Sequence, residues 1–170
     1  MSHHLPIQVV NERDEPLRGL PIAKVYELGL IHRVIHIVVE DYDGNMLLQK
    51  RSKNIVKDAN KWDISVGGHV DEGESYLQTA IRELHEELGL SNLKLTELGR
   101  RYKEVDIEGS LAKRFVTVYK TRIPHATPIK FPADEIAAVK WVSLAQVKQL
   151  IKNHPEQVAT GLKECFGDYY

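Results

Sequence analysis

The chain has 170 residues, a mass of 19.4 kDa and a single cysteine, Cys165. Its 23 lysines and arginines nearly balance its 24 aspartates and glutamates, so the formal net charge is −1, which argues against general binding to nucleic acids or anionic membranes. One cysteine excludes an internal disulfide framework, and the length suits one domain.

Neither a membrane span nor a secretory leader is predicted. No stretch approaches the roughly 20 apolar residues that a span needs. Residues 1–6 also lack a basic segment followed by an apolar one. Together with the lone cysteine, these features lead us to expect a cytoplasmic protein.

The first half of the chain is typical of strands joined by turns. Ile7–Val10 is predicted as a short strand and residues 11–16 as a turn. Ile31–Val39 alternates in two sets of side chains and is rich in β-branched residues, as a strand requires. Asp43-Gly44 is a hairpin signal, so Met46–Arg51 is expected to return as the next strand.

The second half of the chain adds helices to further strands. The strands are predicted over Trp62–Val66, Leu93–Leu98, Tyr102–Ile107, Phe115–Tyr119 and Ala138–Val142. Helices are predicted over Tyr76–Leu88, after Ser143 and, more weakly, over Glu156–Cys165. The pattern predicts an α+β fold, with helices packed on the faces of a mixed sheet.

The helix over Tyr76–Leu88 has clear start and stop signals. Ser75 and Gln78 form a capping-box pattern, and Gly89 follows the last turn. At about 100° per residue, one apolar stripe is predicted to be buried. Its members are Leu77, Ala80, Ile81, Leu84 and Leu88.

Three carboxylates share the neighbouring face of this helix: Glu83, Glu86 and Glu87. A solvated acidic surface is the plain alternative. However, like charges at these spacings repel, negative charge near a helix C-terminus opposes the macrodipole, and Arg82 is the only cation within reach, at i+4 from Glu86. A bound divalent cation such as Mg²⁺, which prefers carboxylate oxygens, would relieve this repulsion.

The approach to the helix fits a ligand site as well. Gly67-Gly68 permits close approach of the backbone, and the loop that follows delivers Glu74. The full pattern is Gly68, five residues, Glu74, seven residues, then Arg82-Glu83-Leu84-His85-Glu86-Glu87-Leu88-Gly89-Leu90. Over residues 68–90 it resembles the Nudix box at every specified position, and a pattern with this many fixed positions is specific.

The resemblance implies a Nudix fold, an α/β/α sandwich around a mixed β-sheet, with residues 1–170 as one domain and 1–30 as an extension packed on it. It implies hydrolysis of a nucleoside diphosphate linked to another group, with Mg²⁺ or Mn²⁺. Many relatives are dimers, and whether this chain forms a homodimer stays open. The substrate would be a small diphosphate rather than a nucleic acid polymer.

The resemblance also implies roles for individual residues. Glu86 and Glu87 would be the principal metal ligands with the carbonyl of Gly67, and Glu83 would be a further ligand or the general base. Glu74 and Arg82 would orient these carboxylates. A late-loop acid often assists in this superfamily, and Asp134 or Glu135 is the candidate, although two exposed loop acids are an equal alternative.

A narrower resemblance joins the chain to the isopentenyl-diphosphate isomerase branch. It rests on segments 11–15, 31–33, 47–52 and 61–69. The true isomerases use a cysteine just before the box glycine, where this chain has Gly67, and a metal held by histidines and later glutamates. His32 and His69 match two of those histidines, Val25 lies near the third position, and the strand around residues 113–115 lacks the acidic pair. Because the box is intact, we expect a hydrolase on an isomerase-like scaffold.

For the remaining candidate residues, an ordinary structural role is the alternative to ligand binding. His69, Lys50 and Arg51 are candidate phosphate contacts, although ordinary solvated or structural side chains would look the same. His36 is more typical of an ordinary strand histidine, and Trp62 of a core or rim residue. Three functions stay open at this point: a pyrophosphohydrolase, an isopentenyl-diphosphate isomerase, and a non-catalytic sensor of nucleotides or diphosphates.

Overall fold

A computed structural model describes residues 5–170 of the chain. The strands are β1 (Ile7–Val10), β2 (Pro16–Leu20), β3 (Ile31–Glu40), β4 (Met46–Arg51), β5 (Trp62–Asp63), β6 (Val66–His69), β7 (Thr96–Ile107), β8 (Ser110–Arg122) and β9 (Ile136–Val142). The helices are α1 (Ile22–Glu27), α2 (Tyr76–Leu88), α3 (Leu144–Asn153) and α4 (Thr160–Tyr169), with a 3₁₀ turn at Pro155–Gln157. No helix within residues 5–170 is long and apolar enough to cross a membrane.

Strand β3 is the centre of one mixed sheet. It runs antiparallel to β1 and β6 and parallel to β8. β8 forms a long antiparallel hairpin with β7, and β4 pairs with β5 and β9. The predicted α+β fold with a mixed sheet is therefore confirmed, and the organisation as one domain stays a prediction.

Each face of the sheet carries its own apolar core, because strand side chains alternate. Ile35 and Ile37 of β3 pack with Leu84 under α2. Val34 and Val38 of the same strand lie on the other face, with Val147 of α3 and Leu162 of α4 packed in the same core. Helices thus cover both faces, as the α/β/α sandwich predicts.

Helix α2 begins and ends where the sequence predicts. Ser75 Oγ accepts from the Gln78 amide at 3.2 Å, and Gln78 Oε1 accepts from the Ser75 amide at 2.8 Å. Gly89 adopts φ = 66° at the C-terminal end, a left-handed conformation that favours glycine. These local caps fix the register of the acidic residues along the helix.

The buried side of α2 differs from the prediction. Leu77 and Ile81 are 45% and 52% exposed, so assigning them to a buried stripe was wrong. The helix is rotated so that Glu83 and Glu87, at 8% and 9% exposure, face the protein together with Ala80 and Leu84. Angles around a helix give relative positions only, and packing against β6 decides which side is buried.

Other differences are local. β2 and α1 were not predicted, and the two strands expected around residues 93–107 are one strand, β7, with an irregularity between Glu97 and Gly99. The helix expected over Glu156–Cys165 is interrupted, because Val158 is extended and forms a β-bridge with Trp62. Helix α4 therefore starts only at Thr160.

The N-terminal hairpin β1–β2 holds the loop that precedes α2. The Gly19 amide donates to Glu72 Oε1 at 2.6 Å, and the Gly73 amide donates to Gln8 Oε1 at 3.0 Å. The Gln8 amide also donates to the carbonyl of Val70 at 2.7 Å. This segment thus braces the chain that delivers Glu74 to the helix.

Candidate active site

The two glycines of β6 face opposite sides of the sheet. A Cβ built on Gly68 would lie 2.5 Å from Cδ and Oε1 of Glu83, whereas one on Gly67 would lie 3.6 Å from Cδ2 of His36. Gly68 is therefore required for the close approach of the Glu83 carboxylate to the backbone. Gly67 is not crowded, so a side chain there would meet only ordinary contacts.

Arg82 is the cation of the acidic face. Its Nη1 lies 2.8 Å from Glu83 Oε1 and 3.3 Å from Glu86 Oε2. Its Nη2 lies 2.9 Å from Glu74 Oε2 and 3.3 Å from Asp71 Oδ2. One guanidinium thus contacts four carboxylates, and its hydrogen bonds hold the pKa of Glu74 below its usual range. The cluster keeps an excess of negative charge.

Glu87 is buried and is held by a residue of β4. Gln49 Nε2 donates to Glu87 Oε2 at 2.7 Å and to the carbonyl of Ser65 at 3.2 Å. Burial and the negative charges of Glu83 and Glu135 raise the pKa of Glu87 well above its usual value. The carboxylate is therefore pre-positioned, but its ionised form is disfavoured until a positive charge joins it.

Gln49 was missed by the sequence reasoning, although a signal existed. It is a polar residue that follows Leu47 and Leu48 within the predicted strand β4. Side chains alternate along β4, so Gln49 shares the α2 face with Leu47. A buried amide needs hydrogen-bond partners, and here a box carboxylate is one of them.

The donor set fits a hard divalent cation such as Mg²⁺. Glu83, Glu86 and Glu87 supply carboxylate oxygens from adjacent turns, and the raised pKa of Glu87 reflects repulsion that a cation would relieve. Within residues 5–170 no three His, Cys, Asp or Glu side chains already stand in metal-binding geometry. The local reason is Arg82, whose Nη1 contacts both Glu83 and Glu86.

Arg51 and Glu135 border the carboxylates. Both act on the charge of Glu87, Arg51 lowering and Glu135 raising its pKa. The Arg51 guanidinium is held by Asp63 Oδ2 at 3.3 Å and by the carbonyl of Lys57. The carbonyl of Glu135 accepts from the Ser52 amide at 2.8 Å, which ties the late loop to the end of β4. Asp134 is exposed.

Lys50 and His69 are not brought to the carboxylates. Lys50 alternates with Gln49 and lies on the opposite face, with Nζ 5.8 Å from the centre of the Trp62 ring. His69 is in register with Val34 on that same face, and its ring centre lies 5.4 Å from that of His32. The structure therefore places both candidate phosphate contacts behind the sheet, because strand alternation turns them away from α2.

Cys165 also lies on the face away from α2, in helix α4. It is buried, and burial raises the pKa of its thiol to about 12. Such a thiol stays protonated at neutral pH and is a poor nucleophile. Cys165 therefore does not substitute for the cysteine that the isomerases carry at the position of Gly67.

Comparison with known proteins places this site in a family. The model of the NUDIX domain matches residues 30–162. The chain belongs to the Nudix family. An uncharacterised Nudix hydrolase of Pseudomonas aeruginosa is 34% identical over 133 residues, covering 78% of this chain and 75% of the relative.

Two further relatives cover more of the chain. Isopentenyl-diphosphate Delta-isomerase 2 of Photorhabdus laumondii is 29% identical over 156 residues, covering 92% of this chain and 87% of the isomerase. The crystal structure of DR0079 from Deinococcus radiodurans superposes with a TM-score of 0.78 at 22% identity, covering 96% of this chain and 98% of that one. Both predicted resemblances, to Nudix hydrolases and to the isomerase branch, are thereby confirmed.

Membership of the Nudix family makes this chain a hydrolase that acts on phosphoanhydride bonds. The acidic face of α2 is the Nudix box seen in three dimensions. The β1–β2 hairpin, which braces its loop, lies before the region that the family model matches.

Proposed function

We propose that this Nudix protein is a metal-dependent pyrophosphohydrolase that cleaves nucleoside-diphosphate-type substrates by attack of water on phosphorus. The observation that carries the proposal is the packing of the Glu83 carboxylate on Gly68, beside the buried Glu87 and the exposed Glu86. This arrangement gathers negative charge at a cost in folding energy, which is the signature of a site built for a cation and an anionic substrate.

Glu86, Glu87 and the carbonyl of Gly67 would hold Mg²⁺ or Mn²⁺, with Glu83 as a further ligand or as the general base. When bound, such a metal neutralises phosphoryl oxygens and lowers the pKa of coordinated water. Gln49 keeps one oxygen of Glu87 occupied at 2.7 Å, so the other oxygen is oriented for a ligand. A carboxylate acting as general base contributes about 10²–10⁴-fold to the rate.

Arg82 and Glu74 are positioning residues in this proposal. Arg82 contacts Glu83 and Glu86 and is itself held by Glu74 and Asp71. A cation held by Glu83 and Glu86 would compete with Arg82 Nη1 for their oxygens. Arg82 would remain anchored through Nη2 to Glu74 and Asp71.

Arg51 is the proposed phosphate contact on this face, and Glu135 is the proposed additional acid. Arg51 lies close enough to the carboxylates to lower the pKa of Glu87. Its fork of donors suits a phosphate. We therefore retain Arg51 and Glu135 as candidates and no longer propose Lys50 or His69.

An isomerase is the second candidate, because isopentenyl-diphosphate isomerases are among the relatives. Gly67 carries no thiol, and the Cys165 thiol is buried with a raised pKa. These residues favour hydrolysis. A non-catalytic sensor is the third candidate, but such a protein has no need for a general base beside its metal ligands.

The deciding experiment is release of phosphate or nucleoside monophosphate from a panel of substrates with Mg²⁺ and with Mn²⁺. The panel contains nucleoside di- and triphosphates, nucleotide sugars, dinucleotides and isopentenyl diphosphate. Glu86→Gln should lower metal-dependent turnover by about 10²-fold or more. Glu156→Gln, the same change on an exposed turn, should leave turnover unchanged.

Two results would redirect the proposal. Folded protein that binds Mn²⁺ and turns over no member of the panel would contradict the hydrolase and favour a sensor. Deuterium exchange at the allylic carbon of isopentenyl diphosphate, without phosphate release, would favour the isomerase.

A further inference from the structure

Three histidines gather on the sheet face opposite the Nudix box. His32 and His36 are four residues apart on β3 and lie on the same face of the strand. His69 of β6 is in register with Val34, which lies between them. The ring centres of His32 and His69 are 5.4 Å apart. We call these three residues the histidine cluster, and the proposed hydrolase makes no use of it.

The histidine cluster has unused ligand atoms. Nδ1 of His36 and Nε2 of His69 are buried without hydrogen-bond partners. The ring nitrogens of His32 are also buried and make no close hydrogen bond, although the backbone of Leu30 and of Lys113 lies near enough to raise its pKa slightly against the effect of burial. His32 is only 1% exposed. Buried imidazole nitrogens usually have a partner or bind a metal. The resemblance to the isomerase branch, whose metal is held by histidines and glutamates, raises the same expectation.

Arg114 of β8 lies in the same place. It is directly in register with His32 in the parallel β3–β8 pair, and its side chain shares the face of Val116 and Val118. Burial lowers the pKa of all three histidines, and the positive charge of Arg114 lowers it further. Its own Nε is buried without a partner.

Glu164 of α4 completes the group. Its Oε2 lies 2.5 Å from Arg114 Nη2, and both side chains are largely buried. The carboxylate of Glu164 is therefore already neutralised by Arg114 and is not available to a metal. The ion pair also joins β8 to α4. A metal ion with ligands on both elements would join them in the same way.

We propose that Arg114 is a protein-borne cation that takes the place of a metal ion in the histidine cluster and closes this cluster to transition metals. A divalent cation there would face a permanent positive charge in a poorly solvated interior. It would also find Glu164 already paired.

This proposal is independent of the hydrolase activity, because it concerns the other face of the sheet. It has a chemical consequence for the isomerase alternative. The face that carries the histidines would hold neither a metal nor a thiol at Gly67, which are the two groups that the resemblance assigns to the true isomerases.

Cobalt absorption tests the proposal without any activity assay. Co²⁺ held by several histidines in a low-coordination site absorbs visible light strongly, whereas octahedral Co²⁺ on carboxylates and water absorbs weakly. The full-length protein is titrated with Co²⁺ alongside His32→Ala, which removes one ring of the cluster. We expect identical weak spectra, because only the carboxylate site takes the metal.

Three variants of Arg114 separate charge from geometry. Arg114→Lys keeps the positive charge and should give the wild-type spectrum. Arg114→Gln removes the charge and frees Glu164, and Arg114→Glu adds a carboxylate. Both should gain a strong band, which a second substitution, His32→Ala, abolishes. Near-ultraviolet circular dichroism identifies the variants that keep the native packing.

Each contrary result is decisive. A strong band in wild-type protein that His32→Ala removes would overturn the proposal. So would equal binding by Arg114→Lys and Arg114→Gln, since charge would then not be what excludes the metal. A natively packed Arg114→Gln without the band would also overturn it. If neither charge-removing variant folds, a strong band that His32→Ala removes from wild-type protein still overturns the proposal, and identical weak spectra support the exclusion of metal from the cluster.

Discussion

The two faces of the β3–β6 pair use charge in opposite ways. Towards α2, the backbone of Gly68 meets the Glu83 carboxylate, and a single arginine serves four acidic groups. Away from α2, three buried imidazoles share the sheet face of Arg114, whose guanidinium is paired with Glu164. One face is short of positive charge, and the other already contains it.

This difference shows how one sheet can support a cation site on one side only. The carboxylate face is open at Glu86, whose side chain is half-exposed, so a hydrated ion can reach it. The histidine face lies under α4, and its arginine cannot lose its proton. Adjacent residues on β6, such as Gly67 and Gly68, thus face chemically unrelated environments, because the strand alternates.

The largest expected effect concerns the charge of the histidine face. The pKa of His32 is lowered from 6.5 to about 4 by burial and by Arg114. The folded protein therefore favours the neutral form of His32. The resulting contribution to the free energy of unfolding is fully present above pH 6.5 and is lost as the pH falls towards 4. The loss from His32 alone is about 3 kcal/mol by pH 4.

Chemical denaturation between pH 7 and pH 4 measures this loss. His32→Phe should flatten the pH dependence of the unfolding free energy, because the ring that must be protonated is gone. His154→Phe, at an exposed histidine, should keep the wild-type slope. Equal slopes for His32→Phe and wild type would mean that the histidine face is open to water and protons.

The next effect concerns the carboxylate face. Gly68→Ala places a methyl group 2.5 Å from the present position of Glu83 Cδ, so the carboxylate must move. A displacement of about 1 Å in a catalytic group can cost about 10²-fold in rate. Gly67→Ala meets its nearest neighbour at 3.6 Å on the other face and should show a much smaller loss.

Steady-state kinetics with the best substrate of the panel compares the two alanine variants. Thermal melting in the absence of metal shows whether either of them is destabilised. Similar losses of activity in both variants would contradict the separation of the two faces at β6.

The smallest effect concerns the support beneath Glu87. Gln49→Met keeps the length of the side chain but removes the hydrogen bond at 2.7 Å. Loss of a group that orients a metal ligand typically costs 10–100-fold in metal affinity, and we expect the lower end because Gly67, Glu83 and Glu86 remain. Electron paramagnetic resonance of free Mn²⁺ during titration gives the affinity, with Gln157→Met as an exposed control. Unchanged affinity would remove Gln49 from the site.

Much of this molecule could be predicted from local sequence signals. The alternation of Ile31–Val39, the Asp43-Gly44 turn and the caps Ser75 and Gly89 each act within a few residues, and the structure confirms all of them. The spacing of the box residues is also local, since it places Arg82 one helix turn before Glu86. In the structure Arg82 contacts both Glu86 and Glu74.

What could not be predicted depends on contacts between distant segments. The rotation of α2, which exposes Leu77 and Ile81, follows from the packing of Glu83 on Gly68. The faces of Lys50 and His69 depend on how β4 and β6 are paired. Arg114 meets His32 only because β8 lies parallel to β3 across 114 − 32 = 82 residues, and no short pattern encodes such a pairing.

The parallel pairing of β3 with β8 also has a consequence for synthesis of the chain. At about 5–20 residues per second on the ribosome, the stretch from Ile31 to Arg122 takes roughly 5–20 s to emerge. During that interval the central strand β3, of whose ten residues eight are buried in the folded protein, lacks its parallel neighbour, and folding through such distant contacts is slow. Until β8 emerges, the pairings of β3 with β1 and β4 leave most of the edge that β8 will cover exposed.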